Sequence, residues 1–289
     1  MAFGSTEMET IFPPFDPDDE GGHRPRLRQV RQIPIRMILP NLVTLLALCA
    51  GLTAIRMAIE ARYGEAIAMI VIAAVLDGID GRVARLLRST SRFGAELDSL
   101  TDFVNFGVAP AILLYVWTLD EVRSLGWIAA LVFAICAALR LARFNVSIDN
   151  PNKPDWQANF FVGVPAPAGA LIVLLPVYLE YLDLPHNRFT APLVLVYTIA
   201  VGLLMVSRLP TWSGKKFGAR VPREAVLPLF VLVVVLAASL VSYPWHLLAA
   251  GAFIYLAALP VGWRAWQKHR REDQAAAAAS AETEIGNRI

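Results

Sequence analysis

The sequence predicts an all-α fold: a polytopic integral membrane helical bundle of about eight transmembrane helices, six in a core and two in a C-terminal hairpin, with a short N-terminal amphipathic helix lying in the interface. Three observations predict it. Of 289 residues, 56% are hydrophobic and 17% charged, and the mean hydropathy is +0.53, above the apolar share of a soluble globular chain. About eight stretches approach the roughly 17–25 predominantly apolar residues that a crossing takes. The basic residues fall in alternate connections, as enrichment of Lys and Arg in short cytoplasmic loops requires.

Taken in order, residues 1–23 carry Glu7, Glu9, Asp16, Asp18, Asp19 and Glu20 but no Lys or Arg, so no cleaved signal is expected and 1–26 reads as a disordered tail. Between Leu27 and Met37, the apolar Leu27, Val30, Ile33 and Ile35 interleave with arginines, the pattern of an interfacial helix or of a basic topology anchor. The apolar windows then run over 41–59, 65–87, 97–118, 125–145, 164–183, 190–207, 225–243 and 245–263, the last two separated by Tyr243-Pro244-Trp245. This organises the chain as a membrane domain over 27–216, a hairpin over 217–267 and a cytoplasmic tail over 268–289, which reads as frayed beyond Gln274.

With both ends inside, Arg56, Arg62, Arg123 and Arg188 alone among 26 Lys+Arg fall outside, so an even number of spans and cytoplasmic termini are expected in a bacterial-type inner membrane. Against 26 bases stand 24 acids, a net charge of +2, too balanced for a nucleic-acid binder that works by bulk attraction. Cys49 and Cys136 both lie in apolar runs and read as packing residues rather than a disulfide or zinc pair. His23, His186, His246 and His269 sit at ends and loops, which argues against a histidine base or ligand.

Four carboxylates stand where hydrocarbon is expected: Asp77 and Asp80 late in the second window, Asp98 and Asp102 early in the third. A charge at mid-bilayer costs at least ~2.5–3.5 kcal/mol on insertion scales, so four near one level need a reason. Asp77 and Asp80 are i,i+3 and Asp98 and Asp102 are i,i+4, so each pair shares a helix face. Oxygen donors without His or Cys suit hard divalent cations, Mg²⁺ or Mn²⁺, and two such ions balance four acids. A paired-ion site of this kind clamps the attacking and leaving oxygens of a phosphoryl displacement. Gly81 and Ala84 leave room on the same face for a phosphate-bearing group, and Arg85 offers a fork for its oxygens. Two other readings of the acids are salt bridges to Arg82, Arg85, Arg140 and Arg143, and the lining of a cation or proton path in a transporter.

The run Asp77-Gly78-Ile79-Asp80-Gly81-Arg82-Val83-Ala84-Arg85, followed by Gly94, Asp98 and Asp102, resembles at every position the D-x2-D-G-x2-A-R-x8-G-x3-D-x3-D signature of the CDP-alcohol phosphatidyltransferase family. The resemblance implies a membrane enzyme, often a homodimer, with two divalent metals, which moves a phosphatidyl group from a CDP-linked lipid to an alcohol and releases CMP. It implies that Asp77 and Asp98 touch both metals, Asp80 one and Asp102 the other, with Asp102 also the base for the acceptor hydroxyl. Gly81, Ala84 and Arg85, with Ser91 and Gly94, would meet the CDP-lipid, and the nucleotide pocket would use Asn41 to Thr44.

The flanking Asp98-Ser99-Leu100, DFVNFGVAP from Asp102 to Pro110, RLARFN from Arg140 to Asn145, FVGVPAP from Phe161 to Pro167, and SRLPTWSGKK from Ser207 to Lys216 are similar to the phosphatidylserine synthase branch of that family. This implies CDP-diacylglycerol and L-serine as substrates. Serine presents a carboxylate and an ammonium beside its hydroxyl. Arg140 or Arg143 can take the carboxylate in a bidentate pair, or both can be inner-face anchors, while Asn105 can orient the hydroxyl or ammonium. Glycerol 3-phosphate, inositol phosphate and choline remain alternative acceptors. The final hairpin has no assigned role.

Overall fold

The computed structural model describes residues 35–86, 91–148, 160–187, 189–207, 210–212 and 223–286. The disordered tail and most of the interfacial helix expected from the sequence, with Lys215 and Lys216, lie outside the described residues. The helices are α1 (Ile35–Ile59), α2 (Tyr63–Leu86), α3 (Arg92–Asp102), α4 (Ala109–Trp117), α5 (Ser124–Ile148), α6 (Ala166–Val173), α7 (Leu175–Glu180), α8 (Thr190–Val206), α9 (Arg223–Ser242) and α10 (Pro244–Gly286). A π-helical segment, Phe103–Val108, joins α3 to α4 without a break. The short strands β1 (Phe160–Val162) and β2 (Pro210–Trp212) pair antiparallel, Phe161 opposite Thr211.

Every apolar window of the sequence falls on helix. Four helical stretches are long and apolar enough to cross a membrane: Leu39–Ile59, Arg92–Trp117, Ser124–Val146 and Pro244–Arg264. Ala166–Glu180, Thr190–Val206 and Val226–Ser242 are shorter apolar helices. α2 has the length but carries Asp77, Asp80, Arg82 and Arg85 in its C-terminal half. These helices form a polytopic membrane bundle. Its fifth window is broken, because Pro176 has no N–H to donate and its ring crowds the carbonyl of Ile172, so the chain is interrupted at Leu174 between α6 and α7.

Small residues set how closely α1 approaches its neighbours. Thr44, Ala47, Gly51, Ala54 and Ala58 recur at alternating spacings of three and four, fall on one face and are all buried. That face packs against α2, α3, the π-helical segment and α4. At the end of the bundle remote from the acids, a polar latch closes the packing. Trp117 Nε1 donates to Glu180 Oε2 at 2.6 Å, and His186 lies 3.3 Å from both Thr118 Oγ1 and Glu121 Oε1.

The C-terminal hairpin departs from expectation in two ways. Its helices are unlike: α9 meets only α10 among the stronger helix contacts and exposes Val226 through Leu236, whereas α10 buries Ala249 and Ala252 in the main core, with Leu248, Tyr255, Leu256 and Leu259 packed on the same cluster. The frayed tail is corrected too. α10 runs unbroken to Gly286, since Ala275–Ala279 supplies the residue of highest helix propensity five times in succession.

Candidate active site

The site is assembled where the C-terminal part of α2 meets α3. Asp77 and Asp80 stand one turn apart on α2. Ser91 then starts α3 as its N-cap, with extended backbone and a side-chain oxygen that accepts the Gly94 N–H at 3.0 Å, satisfying an otherwise orphaned donor. The helix so begun carries Asp98 and Asp102 to the same place. Oxygens of Asp77, Asp98 and Asp102 all lie within 4.8 Å of one another. Asp80 is buried at 4% exposure, and its Oδ2 accepts a hydrogen bond from Thr44 Oγ1 on α1 at 2.8 Å.

This donor set fits hard cations. Three carboxylates converge on one point and present only oxygen. Among the described residues none of the four acids has an ion-pair partner within 4.0 Å. Asp102 Oδ1 is enclosed and has no hydrogen-bond partner. Beside the acids there is open space: a Cβ built on Gly78 or Gly81 would meet nothing within 4 Å. Arg85 Nε donates to Gly81 O at 2.9 Å, and its side chain is exposed beside that space. The side chain of Ala84 lies outside the described residues.

Gly94 stands close to α1 and to the N-cap of its own helix. A Cβ there would come 2.9 Å from Asn41 Oδ1 and 3.1 Å from Ser91 Oγ, so Asn41, Ser91 and Gly94 are neighbours. Thr44 is committed to Asp80 rather than facing the opening alone.

The three remaining sequence candidates separate. Arg140 is 9% exposed, its Nε has no partner, and its guanidinium lies within electrostatic reach of Asp102. Arg143 is exposed and donates to Val206 O at 2.6 Å, tying α5 to the end of α8. Asn105 is fully buried on the π-helical segment and turned toward α1: a Cβ on Gly51 would sit 1.9 Å from its Oδ1. Gly107, on that segment's other side, faces Ala137 of α5. A side chain that the motif reading missed is Tyr255 of α10, packed on the core cluster with its hydroxyl enclosed. Its signal was the spacing of Ala249, Ala252, Tyr255, Leu256 and Leu259, which marks one helix face directed at the bundle.

Comparison with known proteins agrees with this geometry. The profile described as CDP-alcohol phosphatidyltransferase matches residues 37–206, and a second, CDP-alcohol phosphatidyltransferase 2, matches residues 224–260. A Mycobacterium leprae protein named CDP-diacylglycerol–serine O-phosphatidyltransferase is 41% identical over 238 residues, covering 82% of this chain and 77% of its own length. Helicobacter pylori has a relative of the same name, 36% identical over 76% of this chain and 88% of its own length. A Bacillus subtilis relative, also of that name, is 34% identical over 63% of this chain and 93% of its own length. With four acids in the family's spacing, three of them converging in space, and a profile that spans most of the bundle, this chain belongs to the CDP-alcohol phosphatidyltransferase family.

Proposed function

We propose that this protein is a CDP-diacylglycerol–serine O-phosphatidyltransferase, which transfers the phosphatidyl group of CDP-diacylglycerol to the hydroxyl of L-serine and releases CMP. The observation that carries the reading is the convergence of Asp77, Asp98 and Asp102 beside the space left open at Gly81. Relatives at 36–41% identity bear the name of this activity.

In this reading Asp77, Asp80, Asp98 and Asp102 hold two divalent cations, Mg²⁺ or Mn²⁺, which when bound neutralise the diphosphate and the departing CMP. The CDP-lipid diphosphate lies against the bare backbone at Gly81 and Ala84, with Arg85 on its oxygens and Asn41, Ser91 and Gly94 bordering the nucleotide. Asp102 accepts the proton of the serine hydroxyl. The serine oxygen forms a bond to the β-phosphorus, and the bond from that phosphorus to the bridging oxygen breaks, leaving the electron pair on CMP. Arg140, buried and with Nε free, pairs with the serine carboxylate, a charge-assisted contact that fixes the hydroxyl toward Asp102. Arg143, engaged on Val206, and Asn105, turned to α1, are not needed for it. The site faces the cytoplasm, where the soluble acceptor is available, and the family resemblance implies a homodimer, which light scattering in detergent would weigh.

The direct experiment is CMP release from CDP-diacylglycerol by the purified chain with L-serine as sole acceptor, after EDTA and after restoring Mg²⁺ or Mn²⁺. Serine- and metal-dependent release is expected. Release with glycerol 3-phosphate, inositol phosphate or choline in place of serine would keep the chemistry and overturn the acceptor.

A further inference from the structure

Asn105 is a buried polar side chain to which the reaction gives no use. It is fully enclosed, and neither its Nδ2 nor its Oδ1 has a hydrogen-bond partner. Its place in the chain is close to the chemistry, one turn beyond Asp102 on the π-helical segment that continues α3 without a break. What it meets is bare backbone on α1. A Cβ on Gly51 would stand 1.9 Å from Asn105 Oδ1 and 2.8 Å from its Cγ, so the carboxamide fills the space in which any other residue would have its first side-chain atom. On the far side of the same segment Gly107 comes close to α5, where a Cβ would stand 3.1 Å from that of Ala137. The segment is therefore closely packed on both sides, and the fit of Asn105 on Gly51 is one of the contacts that fix where it lies.

A carboxamide enclosed without hydrogen bonds lowers stability, and an apolar side chain of similar size would fill the space without that cost. What the amide offers is a short, flat end that lies against bare backbone more closely than branched methyl groups can. We propose that Asn105 is a positioning residue for Asp102: seated on Gly51, it sets how far the end of α3 stands from α1, and so where Asp102 meets Asp77 and Asp98. This rests on the roles of ligand and base given to Asp102 above. One face of α1 then backs both acid-bearing helices. Thr44 bonds Asp80 of α2, and Gly51, two turns further along that face, receives Asn105 from the continuation of α3. The fit matters because a displacement of about 1 Å at a reacting group can lower a rate by about 10²-fold.

The test is a mutant cycle on the full-length chain, read by steady-state CMP release and, without either substrate, by the Mn²⁺ concentration for half-maximal thermal stabilisation. Asn105→Ala empties the seat, and Gly51→Ala collides with its occupant. Each is expected to lower kcat by about ten-fold or more and to raise the Mn²⁺ concentration several-fold, with the KM values for serine and CDP-diacylglycerol within about two-fold of wild type. The double variant Gly51→Ala/Asn105→Ala moves the filling atoms from one helix to the other. With the carboxamide gone, the new Cβ stands 3.3 Å from the Cα of residue 105, and both readouts should return to within about three-fold of wild type, the non-additivity of residues in contact. Gly126→Ala is the control: overpacked against Leu119 at the remote end, it should lower the thermal transition and leave kcat and the Mn²⁺ titration unchanged. Multiplying losses in the double variant would overturn the inference. A serine KM raised about ten-fold in Asn105→Ala at unchanged kcat, the mark of lost ground-state binding, would make the amide a substrate contact and overturn it too. So would a lower thermal transition in Asn105→Ala with kcat and the Mn²⁺ titration unchanged, which would leave the contact to the fold alone. Should Gly51→Ala show no thermal transition, a double variant that folds and turns over faster than Asn105→Ala supports the seat, and any other double variant overturns it. Absence of serine-dependent CMP release in wild type would overturn the function, while the Mn²⁺ titrations of the same variants would still decide the seat. A wild type whose melting ignores Mn²⁺ would overturn both.

Discussion

Asp102 sits in a part-buried position, offers an oxygen to the acid cluster, and has its Oδ1 enclosed without a hydrogen-bond partner. An amide in its place keeps the shape but cannot take a proton. Asp102→Asn is expected to lower kcat by about 10²–10⁴-fold, the usual worth of a positioned general base, while the thermal transition in detergent stays at least as high, since one of several crowded acids is gone. Near-normal turnover would remove Asp102 as the base. Thr44 acts at one remove. Its single proton has two acceptors in range, Asp80 Oδ2 at 2.8 Å and Pro40 O at 3.1 Å, and the carboxylate is the stronger. Thr44→Val should raise the Mn²⁺ concentration for half-maximal thermal stabilisation by about ten-fold, in line with the loss of an orienting hydrogen bond behind a metal ligand, and Thr44→Ser should restore it. An unchanged Mn²⁺ titration in Thr44→Val would mean that the bond does not orient Asp80. The acids were legible in the sequence because charge in an apolar run is an anomaly and helix spacing fixes its face. Thr44 was legible only as a pocket residue: that its hydroxyl crosses to α2 depends on how closely α1 and α2 pack, which no local pattern states.

At the scale of elements, glycines report which helix contacts are tight. A Cβ on Gly126, near the start of α5, would stand 1.8 Å from the backbone oxygen of Leu119, which cannot rotate away. On α10 a Cβ at Gly251 would meet nothing within 4 Å. Gly126→Ala should therefore destabilise by roughly 1–3 kcal/mol, the cost of overpacking, whereas Gly251→Ala should stabilise by about 0.5–1 kcal/mol through lower backbone entropy in the unfolded chain. Thermal melts in one detergent decide, and a fall in both variants would mean that α10 is more closely packed at Gly251 than its open surroundings indicate. The helices themselves were readable from apolar length, and the Tyr243-Pro244-Trp245 turn from its proline. The π-helical segment was not: Phe103 to Val108 holds no proline, a single glycine, Gly107, is tolerated inside helices, and no local pattern states that the segment packs between Gly51 of α1 and Ala137 of α5. Nor was the continuation of α10 to Gly286, where the run of alanines followed by polar residues is too short and one-sided to form a core and so reads as a tail, although propensity alone favours helix there.

For the whole molecule, the ends differ in how their charges are spent. At the end remote from the acids, Arg56 bonds Glu60 at 2.8 Å and Arg62 bonds both Glu60 and Glu65; the two guanidiniums hold the Glu60 carboxyl below its ordinary value. These arginines are largely neutralised where they stand. At the site end, Arg82, Arg85 and Arg92 are exposed, and no carboxylate among the described residues pairs with them. Unpaired cations resist translocation, so the asymmetry supports the proposed orientation, with the acid cluster toward the cytoplasm. The expected outcome can be read by labelling in a background with Cys49→Ala and Cys136→Ala, which removes the only native thiols. Asp120→Cys, exposed at the remote end, should react with a membrane-impermeant maleimide in spheroplasts, and Arg92→Cys, exposed at the site end, only after permeabilisation. The reverse pattern would put the opening beside Gly81 on the side of the membrane away from cytosolic serine, and a soluble acceptor could then reach Asp102 only by crossing the bilayer first.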